Sequence, residues 1–188
     1  MKGISMPQSV AVVTGASQGI GRSTAIRLAR DFDAIALVAR NRANLEETAT
    51  AVGAAGAEPL VIDVDLSDPA AARAVVDATL SRFGRVDALL NIAGAVPQID
   101  VLDMTDEQWD HGLALKLHGA RRLTVAAWPA LREARGSVVL ISGNSALFPK
   151  PPTPRWARST PRSSHWPRRS PTAASRTGSR STASCRDR

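Results

Sequence analysis

Short apolar runs alternate with longer segments of helical pattern between residues 9 and 149. In five of these runs apolar residues fill both faces, so each is a predicted strand that is buried on two sides. Strands of this kind belong to parallel sheets that helices cover on both faces. The five predicted strands are VAVV (Val10–Val13), AIALVA (Ala34–Ala39), PLVIDV (Pro59–Val64), DALLNIA (Asp87–Ala93) and GSVVLIS (Gly136–Ser142). The alternation predicts an α/β fold with a doubly wound parallel sheet.

The segments between these runs carry helix signals. A helix is expected from Gly19 to Arg30, where Ile20, Thr24 and Leu28 recur at a spacing of four. A second helix should begin behind a cap at Ser67 and Asp68, with proline in its first turn, and should close on Gly84. A third begins with a capping box at Thr105 and should run until Pro129 disturbs it. Five strands that alternate with helices fit the doubly wound arrangement.

A glycine-rich turn, TGASQGIG (Thr14–Gly21), follows the first predicted strand directly. Glycines at positions 15, 19 and 21 allow a tight turn and a close approach of the backbone to a phosphate. The helix that follows offers free N–H groups and the positive end of its dipole. A dinucleotide pyrophosphate would fit there, although such a turn can also serve only to connect a strand to a helix.

Three motifs, in this order, resemble those of the short-chain dehydrogenase/reductase family. TGASQGIG matches the family's T-G-x-x-x-G-x-G turn, IDV (Ile62–Val64) matches its D-V/L step at the adenine, and NIAG (Asn91–Gly94) is one substitution from its N-N-A-G. The resemblance runs from about residue 7 to residue 150 and implies a Rossmann-like NAD(P)-binding domain over residues 1–149. It also implies a set of cofactor contacts, namely Gly15, Ser17, Gln18, Gly19, Ile20, Arg40, Asp63, Val64, Asn91, Ala93 and Gly94.

The end of the second predicted strand bears on which cofactor is bound. An acidic residue there accepts hydrogen bonds from the adenosine ribose and favours NAD, whereas arginine can pair with a 2′-phosphate. The sequence VARNR has Arg40 and Arg42 and no acid. We therefore expect NADP, with Arg40 as the main phosphate partner and NAD as the alternative cofactor. The other interpretation is that both arginines are solvated loop charges.

The resemblance implies hydride transfer between nicotinamide and a carbonyl or alcohol, with a catalytic Tyr, Lys, Ser and Asn. The place of the Asn is held by Lys116, and the place of the Ser by Gly143, beside Ser142. The chain contains no tyrosine, and no lysine follows Lys150. Without a phenol and its neighbouring cation the usual acid/base is missing. We expect impaired catalysis, with Lys116 and Ser142 as weak candidate substitutes, and a non-enzymatic nucleotide-binding remnant is the alternative.

Charge and cysteine content narrow the partners. Residues 1–149 hold 14 Lys and Arg against 16 Asp and Glu, a net charge of −2, so all of the excess charge of +7 comes from residues 150–188, which hold 10 Lys and Arg against one Asp. The slightly acidic charge of residues 1–149 argues against nucleic acid as a partner of this part of the chain.

The sequence also bears on the cellular compartment. A single cysteine excludes an intramolecular disulfide, and the apolar run at the N-terminus is too short for a membrane span, so cytoplasm is the expected compartment. His111 and His118 are expected on the surface and not in a metal site.

Residues 150–188 are rich in Arg, Ser, Pro and Thr. This composition suits a disordered segment, or a basic arm that binds nucleic acid, but neither explains why the family's motifs stop here. We favour a third hypothesis, a shifted coding frame near Pro154. Read from the third base of each codon, SRSTASCRDR can encode I-Q-V-N-G-I-L-P-G-P, which resembles the family's I-R-V-N-x-V-x-P-G.

Members of the family that this sequence resembles usually continue with an active-site helix, two more strands, a substrate-covering loop and a final helix, and the motifs of these elements are missing here. These elements would normally cover the fifth predicted strand, so we expect that strand to form an exposed hydrophobic edge. The long helix from Thr105 should likewise lose packing that it shares with a partner subunit in the family, where homo-oligomers are usual. Low stability and a tendency to associate are expected.

Overall fold

The computed structural model describes residues 7–94, 99, 102–142 and 182–184. The described residues up to Ile141, together with Thr182–Ser184, belong to one compact unit, and Ser142 is the only described residue of a second unit. The predictions for the other residues of the 150–188 segment, including the shifted frame, lie outside the described residues.

One sheet organises the compact unit. Its strands are β1 (Val10–Thr14), β2 (Ala34–Ala39), β3 (Glu58–Asp63), β4 (Ala88–Asn91), β5 (Ser137–Leu140) and β6 (Thr182–Ser184). They lie in the order β3-β2-β1-β4-β5-β6, and the first five run parallel to one another. The five predicted strands and the doubly wound, Rossmann-like α/β fold are confirmed. β1 is buried along its whole length, as expected for the central strand.

The edge of the sheet differs from the prediction. β6 pairs antiparallel with β5, with Val138 opposite Ala183, so the expectation that β5 forms an open edge is wrong. No apolar pattern predicts a strand at residues 182–184. Backbone pairing requires only free N–H and C=O groups on both segments, which explains how a segment without an apolar pattern can fill this place.

Two helices cover one face of the sheet, α1 (Gly19–Leu28) and α2 (Arg42–Ala55). Ala25 of α1 and Leu45 and Val52 of α2 are fully buried and pack against side chains of β1 and β2. The Asn41 side chain accepts the Asn44 N–H and caps α2. The packing of α1 on this face holds the glycine-rich turn, which leads into α1, against the sheet.

The other face is covered by α3 (Ala71–Phe83) and α5 (Ala120–Glu133). Val75, Leu123 and Leu131 form the centre of that core and are fully buried. α3 ends at Gly84 in the left-handed region, as predicted. Its predicted side-chain cap is wrong, because the N-cap residue is Ala70 and the Asp68 carboxylate instead accepts the Ala70 N–H in the turn before it.

The single long helix expected from Thr105 is divided into three parts. α4 (Asp106–Leu113) opens with the predicted capping box, a π-helical segment (Ala114–Gly119) follows, and α5 completes the run. The prediction that the helix runs only until Pro129 is wrong, because Pro129 lies inside α5. Pro129 lies on an exposed face, where the carbonyl that loses its helical partner can be solvated, while the opposite face stays packed.

Candidate functional site

A cleft lies at the carboxyl ends of the strands, where β2 lies on one side of β1 and β4 lies on the other, so that the strand order reverses. Doubly wound sheets bind their ligands at this reversal of strand order. The cavity has a volume of about 480 Å³. It is lined by the turn after β1, the ends of β2 and β4, the loop after β3 and the start of the π-helical segment, which contribute Gly15, Ser17, Gln18, Gly19, Ile20, Gly21, Val38, Ala39, Arg40, Asn41, Asn44, Val64, Asp65, Leu66, Ile92, Ala93, Gly94 and Leu115.

The glycine-rich turn forms the floor of the cleft. Gly15 and Gly19 have φ angles of +68° and +54°, a region that other L-residues rarely adopt. A Cβ on Gly15 would lie 3.0 Å from the Ala93 Cα, and one on Gly21 would lie 2.1 Å from the Gly15 carbonyl oxygen. Side chains at these positions would force β1, α1 and the end of β4 apart.

The first turn of α1 points free donors at this floor. The Arg22 N–H donates to the Gln18 carbonyl at 3.2 Å, so the N–H groups of Gly19, Ile20 and Gly21 precede the helical hydrogen bonds. The side chain of the N-cap residue Gln18 makes no capping hydrogen bond, and the first turn of the helix has no acidic residue. These donors, with the positive end of the helix dipole, suit a phosphate group.

Thr14 joins the two strands that border the cleft. Its Oγ1 accepts the N–H groups of Ile92 and Ala93 at 2.9 and 3.0 Å, and its hydroxyl donates to the Leu90 carbonyl at 3.3 Å. The side chain is buried. Thr14 thereby fixes the backbone after β4, where the segment leads to Gly94 at the cleft.

Opposite charges face each other at the end of the cleft formed by β2 and β3. An Arg40 guanidinium nitrogen lies 3.6 Å from a carboxylate oxygen of Asp65. The Ser67 backbone N–H, which donates to Asp65 at 2.9 Å, lowers the pKa of that carboxyl, and the Ser67 hydroxyl and Arg40 act in the same direction. Arg42 is engaged elsewhere, with Asp63 at 3.0 Å and with its helix neighbour Glu46. Arg40 is therefore the arginine that faces the cleft.

Lys116 lies next to Gly94, which lines the other end of the cleft, and is not itself one of the residues that line the cavity. It belongs to the π-helical segment and is half-buried, and a Cβ built on Gly94 would lie 3.0 Å from its Cδ and 3.4 Å from its Nζ. This burial lowers the pKa of Lys116. The same segment places Leu115 in the cavity wall. Segments of π-helix occur often at functional sites, and this one turns Lys116 towards the motif after β4.

Most of the predicted cofactor contacts come together in the cleft. Nine of the eleven line the cavity, and the two exceptions are Asp63 and Asn91. Asp63 ends β3 and pairs with Arg42, whereas the buried Asn91 amide donates to the Thr124 hydroxyl at 3.2 Å. Of the two weak catalytic candidates, Lys116 reaches Gly94, and Ser142 is exposed in the second unit.

Several cavity residues were not predicted. Asp65 follows a predicted strand and forms a turn by hydrogen bonding with Ser67, and no sequence pattern assigns it to the cleft. The place of Leu115 in the cavity wall depends on the register of the π-helical segment. Asn41 and Asn44 could have been suspected, because an asparagine that caps a helix next to Arg40 must lie at the same strand end. Ile92 lies inside the motif that pointed to its neighbours.

The remaining polar candidates stay outside the cleft. His111 and His118 are exposed, as expected of surface histidines. Within the described ranges no group of three or more His, Cys, Asp or Glu could hold a metal ion. No helix in this part of the chain has the length and apolar character needed to cross a membrane.

Comparison with known proteins identifies similar sequences. A family model described as short chain dehydrogenase matches residues 9–159. A Streptomyces violaceoruber protein named for ketoacyl reductase 2 of granaticin polyketide synthase is 41% identical over 145 residues, which cover 74% of this chain and 57% of that protein. The chain spans about half the length of the curated relatives that it matches.

Solved structures share the fold. L-sorbose reductase from Gluconobacter frateurii, solved with NADPH and L-sorbose, superposes with a TM-score of 0.66 at 34% identity, covering 69% of this chain and 50% of that one. NAD⁺-bound xylitol dehydrogenase gives a TM-score of 0.72 at 29% identity, covering 78% of this chain and 57% of that one. Both cofactors thus occur among the structural neighbours.

Proposed function

The chain belongs to the short-chain dehydrogenase family, and from this premise we propose that it is the cofactor-binding part of an NADP(H)-dependent oxidoreductase. The reaction would transfer hydride between the nicotinamide and a small carbonyl or alcohol, and the expected compartment is the cytoplasm. One observation carries the proposal: uncapped helix N–H groups and Arg40 border the same cavity at the reversal of strand order.

The cleft fits a dinucleotide by its shape and its donors. Gly15 and Gly21 leave no room for a side chain between the turn and its neighbours, so the backbone itself forms the floor. The N–H groups at the start of α1 would hold the pyrophosphate. Two nucleotide halves would then extend to either side, one towards β2 and one towards β4.

The choice of NADP over NAD rests on Arg40. Its guanidinium is solvent-exposed at the end of β2, where a ribose 2′-phosphate would add two negative charges. Asp65 offsets part of that attraction and could itself accept a hydrogen bond from a 2′-hydroxyl. NADP is the proposed cofactor, and NAD is the second candidate on this account.

Catalysis by this chain is proposed to be impaired. When bound, the cofactor supplies or accepts the hydride, and the protein must supply a proton donor to the carbonyl oxygen. The chain has no tyrosine to do so. The second candidate function is therefore nucleotide binding without turnover.

Binding titrations of NADPH and NADH test the proposal. Replacing Arg40 by Gln should weaken NADPH binding about tenfold, the effect of losing one charge-assisted contact, and should leave NADH binding unchanged. Arg42→Gln is the matched control, because Arg42 pairs with Asp63 and Glu46. It should leave both affinities within about twofold of the wild type.

Three results would each contradict a part of the proposal. If neither nucleotide binds the wild-type chain, the cleft is not a cofactor site. If Arg40→Gln and Arg42→Gln weaken the binding of NADPH equally, the two arginines act only through the overall charge of the protein. Rapid NADPH oxidation with a panel of aldehydes and ketones would refute the impairment.

A further inference from the structure

Lys116 places a positive charge next to the motif that follows β4. Its Nζ would lie 3.4 Å from a Cβ on Gly94, and both Gly94 and Leu115 line the cavity. Among the described residues Lys116 forms no ion pair, although eight ion pairs involve arginines elsewhere in that part of the chain. No carboxylate there neutralises it.

The position of this charge relative to water also matters. Lys116 is half-buried, so its ammonium interacts through a medium less polar than bulk solvent. Partial burial lowers its pKa, and none of the carboxylates that the structure describes forms an ion pair with it. A lysine side chain is ordinarily an ammonium ion at neutral pH, and this is the form that would act on a bound ligand.

The cleft has two chemically different ends. Arg40 and Asp65 lie at the β2 end, and Gly94 and Leu115 lie at the β4 end. If the adenosine 2′-phosphate meets Arg40, as the proposed function has it, the nicotinamide half extends towards Gly94. Lys116 then faces the half of the cofactor whose charge changes in the reaction.

We propose that Lys116 makes the site distinguish the two redox forms of the cofactor, favouring reduced NADPH over oxidised NADP⁺. This inference rests on the proposed function. The oxidised nicotinamide ring carries a positive charge and the reduced ring is neutral. A nearby ammonium therefore repels the oxidised ring and leaves the reduced one unaffected. The residue acts on affinity and takes no part in transferring hydride.

Affinities of three ligands for the wild-type chain and for Lys116→Met test the inference. The ligands are NADPH, NADP⁺ and 2′-phospho-ADP-ribose, which lacks the nicotinamide. The wild type should prefer NADPH over NADP⁺, and Lys116→Met should reduce that ratio by about fivefold, mainly through tighter NADP⁺ binding. Binding of 2′-phospho-ADP-ribose should be unchanged.

Two variants separate the local charge from other effects. Lys116→Arg keeps the charge and should keep the wild-type ratio. Arg121→Met removes an exposed cation from the first turn of α5, outside the cavity lining, and should also leave the ratio unchanged. Circular dichroism of each variant establishes that the fold is retained.

Three outcomes would overturn the inference. An unchanged NADPH to NADP⁺ ratio in Lys116→Met, with the wild type binding both, removes the role of Lys116 and leaves the proposed function standing. Equal weakening of all three ligands would assign Lys116 to a phosphate. If the wild type binds none of them, the proposed function fails first.

Discussion

Thr14→Val tests whether one hydroxyl holds the two borders of the cleft together. Valine has nearly the shape of threonine but cannot accept the N–H groups of Ile92 and Ala93. The Ile92 N–H keeps a second partner, the Leu90 carbonyl at 3.1 Å. The Ala93 N–H, now bound to Thr14 at 3.0 Å, loses its acceptor. The substitution therefore removes all three hydrogen bonds of the Thr14 side chain, and of the two N–H groups that it accepts, the one of Ala93 is left without its acceptor.

The expected cost follows from these contacts. An N–H group that loses its partner costs about 1 to 3 kcal/mol when buried. Ala93 is half-buried, so we expect the lower part of that range, about 1 to 2 kcal/mol of unfolding free energy. NADPH binding should also weaken, because Ala93 and Gly94 form part of the cavity wall.

Urea unfolding followed by far-ultraviolet circular dichroism measures the difference. Thr50→Val is the matched control, since its hydroxyl donates to the Glu46 carbonyl on the exposed side of α2. That variant should stay within about 0.5 kcal/mol of the wild type. Equal unfolding midpoints for Thr14→Val and Thr50→Val, with equal slopes, would refute the role given to Thr14.

Two further predictions concern the floor and the rim of the cleft. Gly21→Ala should abolish nucleotide binding and destabilise the fold, because the new Cβ would lie 2.1 Å from the Gly15 carbonyl oxygen. Gly53→Ala is the control, since a Cβ at Gly53 meets open space, and it should stabilise α2 by about 0.5 to 1 kcal/mol. Thermal unfolding compares the two variants. Asp65→Asn should tighten NADPH binding about threefold at neutral pH, because it frees Arg40 from a partly exposed ion pair, and it should not tighten NADH binding. Isothermal titration calorimetry with both nucleotides measures the two affinities, and weaker NADPH binding by this variant would contradict the prediction.

The sequence predicted those parts of the fold whose cause is local. Strands such as Val10–Thr14 are apolar on both faces because both faces are buried, so the pattern states the architecture directly. Gly15 was predicted because only glycine permits the turn, and Gly84 because it ends a helix in the left-handed region. Arg40 followed from its position after the second strand. In each case one residue type satisfies a local requirement.

Features that depend on tertiary packing escaped prediction. The π-helical segment has no pattern of its own, and close packing accompanies it, since a Cβ on Gly119 would lie 2.6 Å from the Leu66 carbonyl oxygen. Pro129 remains inside α5 because buried Leu131 and Ala127 hold the helix on the sheet. Asp65 enters the cleft only through the turn that it forms with Ser67.

The hypothesis of a shifted coding frame is tested outside the protein. If it is correct, restoring one base near Pro154 in the coding DNA opens a frame that encodes further family-like strands and a lysine-bearing helix. A coding sequence that offers no such frame would leave the Arg-rich segment as a genuine part of the product. Either result decides whether the missing tyrosine was ever encoded.

Amide hydrogen exchange with and without NADPH tests the central claim, that the cleft at the reversal of strand order binds the cofactor. We predict slower exchange at residues 15–21 and 92–94 when NADPH is bound, because their N–H groups and backbone border the cavity. Exchange in α3 (Ala71–Phe83), which contributes no cavity residue, should not change. Unchanged exchange at 15–21 under saturating NADPH would contradict the account.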